Sequence, residues 1–181
     1  MNGVLILAVL IFSGCGNQES AAERRHREAL DLSHKGQERL NANDKTGAES
    51  LLRRALEVDP QCENARAALD SMKAKERAAL KAARDYVNLC RMALEVYEAT
   101  MSSYPTTSQG LAVLWHQPDN LPDPTKWEGP YLNGPVPKDP WGNPYQYVCP
   151  GKHNPDTFDV WSFGPDSVNG TQDDIGNWGK P

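Results

Sequence analysis

Three carboxylates crowd the end of the chain in "SFGPDSVNGTQDDIGNW": Asp166, then Asp173 and Asp174 seven and eight residues later. No His, Cys or Lys stands among them as a catalytic partner. Oxygen-rich, irregular backbone suits a hard divalent cation, which takes carboxylates together with carbonyls freed from regular pairing. Gly164, Pro165 and Gly170 bend the segment, so the carbonyls of Phe163 and Val168 are candidate ligands beside the three Asp side chains. The spacing is not that of an EF-hand. Counting from Asp166, position three is Val168, and position twelve is Asn177 where a bidentate Glu is needed. The same residues also read as a solvated acidic turn held by Asx-type hydrogen bonds.

The other chemically marked residue lies at the start. Nine consecutive apolar residues, Val4 to Phe12, precede Ser13-Gly14-Cys15-Gly16. A membrane-spanning helix needs roughly twenty, whereas a run of this length suits the h-region of a signal peptide. Small residues directly before a Cys resemble the bacterial lipoprotein signal, in which that Cys is lipidated and begins the mature chain. The expectation is a signal over residues 1–15, a lipid on Cys15 and a polar tether over residues 16–23. Two features depart from that pattern: Phe12 stands where Leu is usual, and no Lys or Arg precedes the apolar run. A plain secretory signal with an incidental Cys is the other reading.

Enzyme chemistry finds little footing. His26, His34, His116 and His153 have no spacing typical of a metal or catalytic site and read as surface or packing residues. No nucleophile, base and oxyanion donor can be nominated together. With Cys15 assigned to lipid, Cys62, Cys90 and Cys149 remain. Cys90 and Cys149 could pair, but three unpaired thiols is the expectation, with Cys90 a small buried apolar residue. The net charge of −5 argues against a nucleic-acid partner. No feature points to a small-molecule substrate.

The elements that must position these residues change character near residue 103. Before residue 104 there are 15 Lys/Arg and 15 Asp/Glu; from Tyr104 onward there are 4 and 9. Of 14 prolines only Pro60 lies in the first half, and all five tryptophans lie in the second. The first half is rich in helix formers; the second suits short strands, turns and ordered loops. In the first half, Gly36, Ala48, Leu52, Ala55 and Pro60 fall on the marked positions of a 34-residue tetratricopeptide-like helix–turn–helix unit. Leu32, Lys35 and Arg39 depart from the usual Trp, Leu and Tyr of that pattern. Helices are expected over residues 24–42, 45–58 and 61–102. The last would cap the single repeat and then present Val87, Leu89, Cys90, Ala93, Leu94 and Tyr97 to a second domain. A short helix in "TTSQGLAVLW" with Thr107 or Ser108 as cap follows, then an ordered "PVPKDPWGNP" loop. Adjacent strands are expected in "YQYVC" and "FDVWSF". The fold class is α+β: a helical hairpin leading into a long helix packed on a small antiparallel sheet with long ordered loops.

The second half resembles a known family. A helix leads into Tyr-Pro-Thr-Thr-Ser-Gln-Gly-Leu from Tyr104. Next comes Pro-Lys-Asp-Pro-Trp-Gly-Asn-Pro-Tyr-Gln-Tyr, then the acidic loop closing on Asp-Ile-Gly-Asn-Trp. In this order the segments are similar to the major pseudopilin of type II secretion, general secretion pathway protein G, over about residues 80–178. The resemblance implies a structural calcium ion held by Asp166, Asp173 and Asp174, with the carbonyls of Phe163 and Val168 as further ligands. It divides the chain into the signal, the tether, a helical region over residues 24–79 and a pseudopilin-like domain over residues 80–181. Where such pseudopilins begin with a basic leader and a long apolar helix, this sequence shows a lipoprotein-like signal and a repeat-like hairpin. The implied role is a non-enzymatic, membrane-anchored accessory or structural component of a type II secretion or type IV pilus-like system. Its partners would be proteins of that apparatus, in the bacterial envelope facing the periplasm or exterior. The alternative is an envelope lipoprotein that reuses a calcium-stabilised scaffold for a role unrelated to secretion.

Overall fold

In the computed structural model, which describes residues 19–119, 121 and 123–179, the chain divides into two compact units at Met72/Lys73. The expected signal and Cys15 lie outside the described residues. Among the described residues no helix is long and apolar enough to cross a membrane.

The first unit contains α1 (Ala21–Asn41), α2 (Lys45–Val58) and the start of α3 (Glu63–Met101). α1 begins three residues before the expected position, and residues 21–23 of the expected tether are helical. The reason is a reciprocal cap. The Ser20 hydroxyl accepts from Glu23 N at 3.1 Å, while Glu23 accepts from Ser20 N at 2.7 Å, so two otherwise orphaned donors are satisfied. Asp44 caps α2 by accepting from Gly47 N at 2.9 Å. The apolar faces close on Ala29, Leu32, Leu52, Ala55, Cys62, Ala65 and Leu69. Gly36 has no room for a side chain: a Cβ there would meet Leu52 Cγ at 2.8 Å.

In the second unit α3 buries Val87, Cys90, Ala93, Leu94 and Tyr97. Leu89, expected on that face, does not join it. At 100° per residue it turns away from its neighbours, and it stays 46 % exposed in a stripe with Met92 and Val96. The helix stops before Tyr104-Pro105. A 3-10 turn at Gly110–Leu114 replaces the expected short helix. Its approach is fixed by Thr106 rather than by Thr107 or Ser108. Thr106 N donates to Gln109 Oε1 at 2.8 Å, and its hydroxyl accepts from Gln109 N at 3.2 Å. Thr107 instead pins a strand end: its hydroxyl accepts from Cys149 N and donates to Cys149 O, both at 3.0 Å.

Three antiparallel strands follow in the order β1 (Gln146–Val148), β2 (Asp159–Ser162), β3 (Ile175–Gly176). Tyr147 pairs with Val160 and Ser162 with Ile175. β3 was not expected; two residues carry no readable alternation. Asn177 extends its pairing: its side chain accepts from Val160 N at 3.0 Å and donates to Phe158 O at 3.0 Å. Phe158, just before β2, and Val160 within it are buried in a core shared with Leu111, Val113, Leu114, Leu132 and Tyr145. Tyr104 meets Phe158 edge-on, with ring centroids 4.8 Å apart. Cys62, Cys90 and Cys149 are all unpaired. Burial pushes the Cys90 thiol up to about 12, as expected of an apolar core residue.

Candidate functional site

The acidic loop runs from the end of β2 to the start of β3. Three of its residues take the left-handed region: Gly164 (φ 71°), Ser167 (φ 58°) and Gly170 (φ 84°). Gly164 is required by both conformation and space, since a Cβ there would meet the Asp173 carbonyl oxygen at 2.1 Å. That close approach brings the two ends of the loop together.

The three Asp residues differ in what they touch. Asp166 is exposed and accepts from Val168 N at 2.9 Å, closing an Asx turn around Ser167. Asp173 is exposed. Asp174 is half-buried, and its Oδ2 accepts from Gly170 N at 2.9 Å. Its Oδ1 is buried with no hydrogen-bond partner. Burial raises the Asp174 carboxyl above the ordinary carboxylate range, and the charges of Asp166 and Asp173 add to the rise. Gly170 N–H and the nearby His153 oppose it without cancelling it. The Val168 carbonyl accepts the Thr171 hydroxyl at 3.4 Å.

A buried, unpartnered carboxylate oxygen among mutually repelling acids fits a hard cation, and every donor in the loop is oxygen. As the side chains stand, no three His, Cys, Asp or Glu among the described residues converge on a point that could hold an ion. The donor chemistry is that of a hard divalent cation such as calcium.

Sequence reasoning missed the carboxylates that organise the loops around this one. Asp159 is almost wholly buried and accepts from Lys152 N (2.7 Å), His153 N (2.8 Å), Asn154 N (3.1 Å) and Asn154 Nδ2 (2.9 Å). His153 Nδ1 lies 3.1 Å from the same carboxylate, and its ring stacks on Trp178 at 3.9 Å. Burial pushes Asp159 up, but the bonds from His153, Lys152 and Asn154 together outweigh it and hold the group below its ordinary value. Asp139, also buried, accepts from Trp141 N (3.0 Å), Asn143 N (2.8 Å) and the Ser162 hydroxyl (2.5 Å). For Asp159 an acid in the otherwise apolar run "FDVWSF" was the available signal, because buried carboxylates are rare unless paired; Asp139, in a Pro-rich loop, carried no such signal. The histidines lie where they were expected, in surface or packing contacts: His26 sits 2.6 Å from Asp59, and His116 lies tilted beside Trp115.

Comparison with known proteins places this geometry. The family model described as Type II secretion system (T2SS), protein G matches residues 70–178. The chain is 44 % identical over 99 residues to type II secretion system core protein G of Aeromonas hydrophila, covering 54 % of this chain and 66 % of that protein. It is 47 % identical over 100 residues to the core protein G of Vibrio cholerae, covering 54 % and 66 %. To that of Pseudomonas aeruginosa it is 38 % identical over 110 residues, covering 59 % and 76 %. Among solved structures it is similar to the major pseudopilin from the type 2 secretion system of enterohaemorrhagic Escherichia coli, at 36 % identity and a TM-score of 0.52. That match covers 59 % of this chain and 88 % of the solved one. The chain thus spans about two thirds of the length of these curated relatives. With the family model spanning the α3 face, the sheet and the whole acidic loop, this chain belongs to the type II secretion system protein G family.

Proposed function

We propose that this chain is a non-enzymatic, membrane-anchored, calcium-binding pseudopilin-like protein that serves as a structural or accessory component of a type II secretion or pilus-like system. The observation that carries the reading is the protein G family match, which runs from within α3 through the acidic loop. It favours this reading over a reused scaffold unrelated to secretion. The partners are protein components of that apparatus in the cell envelope.

Asp166, Asp173 and Asp174, with the carbonyls of Phe163 and Val168, would hold the calcium. The ion supplies positive charge that offsets their repulsion and gives the bare Asp174 Oδ1 a partner. The role is structural. The Val4–Phe12 run and Ser-Gly-Cys support lipid attachment at Cys15. The first unit serves as a tetratricopeptide-like spacer or docking element; the support is Gly36 against Leu52, with Ala48 and Ala55 buried where such a unit needs small residues.

The experiment is affinity capture from envelope extracts with the full chain, in calcium and in chelator. Recovery of identified secretion-apparatus proteins in calcium, weakened by chelator, supports the reading. Failure to recover any of them in either condition contradicts it.

A further inference from the structure

Two polar struts connect residues 138–144 to the acidic loop, one at each arm. The first is buried. Asp139 Oδ2 accepts from the Ser162 hydroxyl at 2.5 Å, and Ser162 Oγ in turn accepts from Gly164 N at 3.0 Å. Gly164 is the residue against which the Asp173 carbonyl packs, so this strut bears on the Asp173–Asp174 arm. The second reaches the other arm. Asn143 Nδ2 donates to Ser167 Oγ at 2.8 Å. Ser167 sits in the left-handed region inside the Asp166 turn, so this strut bears on where Asp166 is held.

The base of both struts is fixed independently of the loop. Asp139 N donates to Asn143 O at 2.8 Å, and Asp139 Oδ1 accepts from the backbone N–H groups of both Trp141 and Asn143. The backbone of Asn143 is therefore held whatever its side chain does. The side chain's contact outside its own turn is the bond to Ser167.

We infer that residues 138–144 set the shape of the acidic loop, and that Asn143 is a positioning residue for its cation through Ser167. The second clause rests on the calcium reading above; the first does not. In free solution a loop rich in Gly, Ser and Asn samples many shapes. A clamp at each arm restricts that sampling before the ion arrives, which is the general route from pre-organisation to affinity.

The test uses the full chain and the variants Asn143→Ala, Ser167→Ala and the double. Two measurements are made: hydrogen exchange of the peptide spanning residues 164–174 in chelator, and calorimetric titration with calcium ions. Expected are faster exchange in each variant, and calcium binding weakened about two- to tenfold, the range for one net hydrogen bond. The double variant should be no weaker than the singles, with the melting temperature in chelator unchanged. A melting temperature lowered equally in calcium and in chelator, with unchanged affinity, would mean a merely structural bond and overturn the positioning role. Unchanged exchange and unchanged binding would overturn the strut altogether. Faster exchange in variants of a chain that binds no calcium would leave the strut standing and remove the calcium reading.

Discussion

Asp159 and Asp174 belong to loops of the same small sheet, yet the protein treats their carboxylates in opposite ways. The loop after β1 wraps three backbone N–H groups and the Asn154 amide around Asp159 and holds its charge in place. The loop after β2 gives Asp174 one N–H, leaves its second oxygen buried and bare, and sets two more acids nearby. The first carboxylate is a finished structural element. The second lacks such compensation, and the proposed calcium ion is the charge that would supply it.

The contrast can be broken most severely at Asp159. Asp159→Ala leaves several part-buried N–H donors without their acceptor and should cost about 2–3 kcal/mol in a denaturant melt. A cost near that of an ordinary surface change would mean the cage does little. Acid should repeat part of this loss. The folded-state pKa of Asp159 is lowered from 3.8. Its contribution is therefore fully present above that value and disappears as pH falls through the lower folded value. Melting temperatures measured through the acid range should drop in wild type and drop less steeply in Asp159→Asn.

Of similar size is Gly164→Ala. A left-handed alanine whose Cβ meets the Asp173 carbonyl should destabilise by about 2–3 kcal/mol. It should also weaken any response to calcium, because it forces the loop ends apart. A variant as stable as wild type would show that the close approach is not needed. The smallest change sharpens the contrast from the other side. Asp174→Asn keeps an oxygen for Gly170 N–H while removing a charge that the loop disfavours. In chelator it should be neutral or stabilising by about 1 kcal/mol, whereas the same substitution at Asp159 destabilises. Destabilisation at both positions would erase the distinction.

α3 was legible because a long run without Gly or Pro repeats its apolar residues at the helical period, and α1 and α2 were legible from the spacing of Gly36, Ala48, Leu52, Ala55 and Pro60. β1 and β2 were legible from alternation in "YQYVC" and "FDVWSF". β3 was not, because Ile175–Gly176 is too short to show an alternating pattern. Leu89 was misassigned because the apolar face of α3 was read as broader than it is, and composition does not say which side meets the sheet. The acidic loop was visible as a cluster of types. Its clamps were not, since Asp139–Ser162 and Asn143–Ser167 join residues 23 and 24 positions apart. Such pairings are fixed by tertiary packing and leave no local trace in the sequence.

The most direct test of the calcium reading is the melting temperature of the full chain in calcium and in chelator, beside Asp174→Asn. The account predicts a clear rise with calcium in wild type, as mass action requires of a ligand that binds only the folded state, and little or no rise in the variant. Equal melting temperatures for wild type in calcium and chelator, or the same rise in both proteins, would contradict it.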